Sequence, residues 1–73
     1  LNLLQNPQLT SAQTAPILAQ VLNTQGSLQL AQGKTDAALS TWQQAATTYK
    51  QIGDRSGQAG SLINQAQAQQ ALG

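Results

Sequence analysis

AQVLNTQGSLQLAQG, residues 19–33, recurs forty positions later as AGSLINQAQAQQALG, residues 59–73. Without a gap, Ala19/Ala59, Leu22/Leu62, Gln25/Gln65, Gln29/Gln69, Ala31/Ala71 and Gly33/Gly73 are identical. A fixed period of about 20–50 residues marks a stacked-repeat architecture, in which each unit needs its neighbour to bury its apolar face. Gly33 closes the first copy and Gly73 holds the equivalent place in the second. The chain is therefore expected to be cut from a longer array, with a binding role.

Working outward from the repeat, the apolar spacing predicts three helices in one all-α domain over residues 1–73, at about 14–32, 36–52 and 55–72. Ser11 and Thr14 both offer N-caps to the first helix, and a Thr14 cap places Pro16 in the first turn, where a missing N–H costs nothing. Ile17, Leu18, Val21, Leu22, Leu28 and Leu30 then form a broad apolar face. Lys34-Thr35-Asp36 reads as a tight turn with Thr35 as N-cap. Ala38, Leu39, Trp42, Ala45, Ala46, Tyr49 and Ile52 trace one stripe on the second helix. Gly53 ends that helix and Asp54 caps the third, where Gly57 and Gly60 are expected to mark close helix contact. LNLLQ at residues 1–5 reads as the last turn of a preceding helix, broken by the turn chemistry of Asn6-Pro7.

Composition narrows the functional classes. Seventy-three residues bury only about 60% of the unfolded surface, leaving roughly 3–5 kcal/mol of stability. Aromatic residues are only Trp42 and Tyr49, so Leu, Ile, Val and Ala are expected to build the core. Three basic and two acidic residues give a net charge of +1, too little to hold phosphates or an anionic membrane surface. Nucleic acid and membrane partners are thus disfavoured. Polarity comes mostly from fifteen Gln, a residue of good helix propensity. No apolar run approaches the roughly 18 residues of a bilayer span. No targeting segment is read in the chain, and a cytoplasmic location is slightly favoured.

Catalysis needs a titrating group or a nucleophile beside a base. The chain has neither His nor Cys. Asp36 and Asp54 are explained as helix-capping acids, and two carboxylates without a Glu cannot build an oxygen-rich metal site. Gly53, Gly57 and Gly60 lack the Lys-Ser/Thr ending of a phosphate loop. No enzyme activity, metal or cofactor is expected.

The residues resemble the tetratricopeptide repeat (TPR), a helical hairpin with small residues at the crossing, patterned W-x2-L-G-x2-Y…A-x3-F. The pattern reads here as Leu22, Gln25, Gly26 and Gln29, then Gly33, Ala38, Trp42 and Ala45, of which Gly26, Gly33, Ala38, Trp42 and Ala45 fall in family register; the second copy gives Leu62, Gln65, Ala66, Gln69 and Gly73. The resemblance implies an α-solenoid fragment of about one and a half repeats. Gly26 and Ala38 would permit close approach, with Trp42 and Ala45 as a large/small pair locking the crossing. The forty-residue period departs from the usual 34 or so. It is similar to the longer repeats of bacterial proteins, especially cyanobacterial ones with a C-terminal caspase-like peptidase domain. Gln25, Gln29, Gln65 and Gln69 also depart from the pattern, either as an amide ladder between repeats or as a solvated face.

By the same resemblance, the groove-facing positions would be Gln20, Asn23, Ser27, Leu30, Ile63, Gln67 and Gln70. The implied function is a scaffold that binds a peptide or partner protein through that groove. Asn23 and Ser27 stand where a carboxylate clamp would need Lys and Asn, which disfavours a reader of C-terminal carboxylates. The alternative is a structural spacer or self-association module, forming a homodimer through apolar end faces.

Overall fold

The computed structural model describes residues 11–72, as three helices in sequence: α1 (Ser11–Ala31), α2 (Thr35–Gln51) and α3 (Arg55–Leu72). The LNLLQ segment and the Asn6-Pro7 turn lie outside the described residues. The three-residue connections force antiparallel neighbours, and α2 packs against both α1 and α3. The expected all-α, three-helix arrangement is observed, with boundaries shifted by up to three residues.

The two connections are built alike. Gly33 (φ +80°) and Gly53 (φ +76°) take the left-handed conformation that an L side chain would strain. Around the first, Lys34 N–H donates to Gln29 C=O at 2.8 Å and Gly33 N–H to Leu30 C=O at 2.9 Å. Around the second, Asp54 N–H donates to Tyr49 C=O at 2.9 Å and Gly53 N–H to Lys50 C=O at 3.1 Å. Each pair is a Schellman closure, satisfying carbonyls that the helix end leaves unpaired.

The residue that completes each closure also starts the next helix, which corrects the expected caps. Lys34, not Thr35, is the N-cap of α2; its carbonyl accepts Ala38 N–H at 2.9 Å, and no side chain caps that end. Thr35 is already helical, and Asp36 lies in the first turn, where its charge favours the helix dipole. Asp54 does cap α3 as expected, its Oδ1 accepting Gly57 N–H at 2.9 Å. In α1 the helix starts at Ser11, so Thr14 is not its cap and Pro16 sits inside it. Pro16 therefore removes a ladder hydrogen bond instead of filling a free first-turn position.

The core differs from the expected aliphatic one. Ala19, Ala38, Ala45 and Ala68 are fully buried, with Trp42, Ala46 and Tyr49 beside them. One cluster joins Ala19, Ala45 and Tyr49, with Leu22 and Ile52 at its edge; the other joins Ala38, Trp42 and Ala68, with Leu30 and Leu39. Of the broad face expected on α1, Leu22 and Leu30 reach these clusters, whereas Ile17, Leu18, Val21 and Leu28 are more than half exposed. Small residues at the crossings bring the backbones together, and the two rings of α2 fill the remaining volume.

Glycine explains how the rings fit. A Cβ built on Gly26 would lie 2.6 Å from Trp42 Cδ1, and one on Gly57 would lie 2.7 Å from Tyr49 Cγ. Each ring of α2 thus lies directly on the backbone of a neighbouring helix. Gly57 is the close-contact site the sequence implied; Gly60 is not, since nothing approaches its Cβ position within 4 Å. The expected pairing of Trp42 with Ala45 is also revised: Ala45 belongs to the Tyr49 cluster, and Trp42 packs against Ala38 and Ala68.

Candidate functional site

A polar network centred on Asn23 ties the three helices together. The missing side chain at Gly26, one turn on from Asn23, lets Trp42 Nε1–H reach Asn23 C=O at 3.0 Å. The Asn23 carboxamide points to α3, where its Oδ1 accepts from Ser61 Oγ at 3.2 Å and Asn64 Nδ2 at 3.3 Å. Ser61 is fully buried, so this acceptor meets a real need. Thr41 Oγ1 donates to Gln29 Oε1 at 2.7 Å and Gln65 Nε2 to Trp42 C=O at 3.4 Å, joining α2 to each flanking helix. Among the described residues no buried side-chain nitrogen or oxygen lacks a partner.

This network decides how the repeated glutamines are used. Gln29 and Gln65 bond to α2 rather than to each other, while Gln25 and Gln69 are exposed. The amides serve the α1–α2 and α2–α3 contacts separately, so no ladder runs between the repeats.

The groove-facing candidates are placed unequally. Gln20, Ser27, Ile63, Gln67 and Gln70 are exposed. Asn23 is half-buried and engaged in the network, and Leu30 packs against the Trp42 cluster. Ser27 Oγ donates to Asn23 C=O at 3.3 Å. Asn23 on α1 thus reaches Ser61 and Asn64 on α3 directly, although each helix packs chiefly against α2.

Asn23→Ala is therefore a stability variant before it is a binding variant. It leaves a buried hydroxyl and a half-buried amide without their acceptor, at an expected cost of about 1–3 kcal/mol. A double-mutant cycle with Ser61→Ala, read by thermal unfolding, is expected to show coupling of roughly 1 kcal/mol; additive losses would contradict the contact.

The described surface carries shallow depressions, three of them on α1, on α2 and between α2 and α3. On α1, Ile17, Gln20, Val21, Thr24, Gln25 and Leu28 line one of about 480 Å³, and Gln20 is the sole groove candidate among the linings of the three. A second, on α2, is lined by Ser40, Gln43, Gln44, Thr47, Thr48 and Gln51. The third lies between α2 and α3, with Leu62 and Ala46 as its apolar side chains. Sequence reading missed the first because it took Ile17, Val21 and Leu28 as part of one broad apolar face with Leu22 and Leu30.

Among the described residues, no three His, Cys, Asp or Glu side chains gather where they could hold a metal ion. No described helix is long and apolar enough to cross a membrane. Compared with family models, curated proteins and solved structures, the chain matches none.

Proposed function

We propose that the chain is a protein–protein interaction module of the tetratricopeptide type, a piece of an α-solenoid that binds a peptide or partner protein along α1 and α3. The observation that carries this reading is the Asn23–Ser61–Asn64 contact. It links α1 to α3 directly, and Gln20, Ser27, Ile63, Gln67 and Gln70 on these two helices are exposed. The forty-residue repeat and the Gly26–Trp42 packing also support the family resemblance. Amides on such a surface donate and accept, which suits the backbone of an extended segment. The role is non-enzymatic in this reading. No charged side chain stands among those five residues, so recognition rests on amide hydrogen bonding and the apolar contact of Ile63.

The test is selection of a displayed random-peptide library on the immobilised chain. Captured peptides are expected to lose at least about tenfold in affinity on Ser27→Ala/Gln67→Ala, a change of roughly 1.4 kcal/mol, with the helical spectrum unchanged. A second reading, a spacer that only self-associates, is favoured by the exposed aliphatic residues of α1. It would be supported if no peptide is retained.

A further inference from the structure

The outer side of α1 carries an apolar stripe that none of the described helices covers. Ile17, Val21, Thr24 and Leu28 follow one another at intervals of four, three and four residues, so they share one face. Ile17 is 62% exposed, Val21 56% and Leu28 59%. We propose that this stripe is the seat of the segment that precedes α1 in the chain, residues 1–10, held there by Leu1, Leu3 and Leu4.

The internal repeat indicates which part of the chain covers that phase. Forty residues on, the equivalents of Ile17, Val21, Thr24 and Leu28 are Gly57, Ser61, Asn64 and Ala68. None of these four is exposed. Their neighbour is α2, the element that precedes α3: Gly57 lies under Tyr49, and Ala68 joins the Trp42 cluster. By the same relation, the stripe of α1 falls to the residues that precede α1. The other side of α1 is already taken, since Ala19, Leu22 and Gly26 pack against α2.

Side-chain size and charge fit that occupant. The α3 phase is small and admits the aromatic rings of α2 to its backbone. The α1 phase is large and aliphatic, so its cover needs aliphatic knobs rather than rings. Residues 1–10, LNLLQNPQLT, contain four Leu and no aromatic residue. Neither they nor α1 contain Asp, Glu, Lys or Arg, so the contact desolvates no charge.

Reach fits as well. Residues 5–10 link LNLLQ to Ser11 and span up to about 20 Å. Ile17, Val21 and Thr24 stand roughly 9, 15 and 20 Å along α1 from Ser11. A link of this length therefore brings Leu1, Leu3 and Leu4 to the stripe. A helix running unbroken into α1 would instead carry the leucines away from it. Asn6-Pro7 prevents that, because Pro7 keeps the residue before it out of the helical region. The contact is apolar and within one chain, so it is independent of chain concentration. It also stands apart from peptide binding by α1 and α3.

Disulfide formation tests this in the 73-residue chain, which has no Cys of its own. Leu3→Cys combined with Thr24→Cys is expected to close a disulfide within one chain at about 1 μM, at least about tenfold faster than Leu3→Cys combined with Ser27→Cys. Ser27 is also exposed and stands at nearly the same height on α1, but off the stripe. As an independent measurement, replacing Leu1, Leu3 and Leu4 together by Ser is expected to raise the unfolding constant at least about tenfold. Once Val21 and Leu28 are Ser, the same replacement should raise it less than about threefold. Val21 and Leu28 lie outside both core clusters, so these variants keep the three helices. Equal closure rates at Thr24 and Ser27 overturn the proposal, as does a leucine-to-serine effect indifferent to Val21 and Leu28. Cross-links that form only between chains, and only at high concentration, overturn it in favour of a second copy as the cover.

Discussion

Trp42→Ala is expected to cost about 3–5 kcal/mol, which is as much as a domain of this size holds in reserve. The ring is 2% exposed, and it is the largest side chain of its cluster with Ala38 and Ala68. Those neighbours cannot refill the space, because each ends at Cβ. The substitution also leaves Asn23 C=O without the Nε1–H that reaches it at 3.0 Å. Both losses fall at the point where α1, α2 and α3 meet. The expected result is a chain with a weak, non-cooperative thermal transition by circular dichroism. A cooperative melt within a few degrees of the parent would show that the packing around Trp42 is not what holds the helices together.

Gly26→Ala is expected to destabilise although alanine is the better helix former. The helix-propensity gain is at most about 1 kcal/mol. Against it stands a methyl group 2.6 Å from Trp42 Cδ1 and 2.8 Å from Cε2, so the indole must shift from its seat and lose its bond to Asn23. Overpacking of this kind costs about 1–3 kcal/mol, and the balance is a net loss. Gly60→Ala supplies the opposite sign. Its Cβ position is open to 4 Å, so the propensity gain of up to about 1 kcal/mol is not opposed. Denaturant unfolding of the two variants should place Gly26→Ala below the parent and Gly60→Ala above it. The same sign for both would mean that the glycine at the crossing is not there for the ring.

How much of this was legible in the sequence follows from which signals are local. Gly33 and Gly53 end their helices where the pattern placed them, because a left-handed residue after an apolar run is a local signal. Asp54 was legible for the same reason. The Thr35 cap failed because the turn is one residue tighter than the side-chain pattern implies: Lys34 both ends α1 and begins α2.

The core of α1 was misread for a different reason. That helix carries apolar residues on two sides, and hydrophobicity alone cannot say which side a neighbour covers. Ala19 and Gly26 decide it, since only the side with small residues admits the rings of Tyr49 and Trp42. The large aliphatic residues Ile17, Val21 and Leu28 are left outside. Asn23 is the related case among the candidate site residues. Its exposure was expected from register, yet an amide one turn before Gly26 sits beside the crossing and is used for assembly. Gln29 and Gln65 likewise meet α2 rather than the equivalent glutamine of the other copy.

The central proposal, that α1 and α3 together bind a protein segment, is tested most directly by mapping a selected peptide onto the chain by amide chemical-shift perturbation. The account predicts that the perturbed amides cluster at Gln20, Ser27, Ile63, Gln67 and Gln70. Perturbations confined to Ser40, Gln43, Gln44 and Thr47 on the outer face of α2 would contradict it.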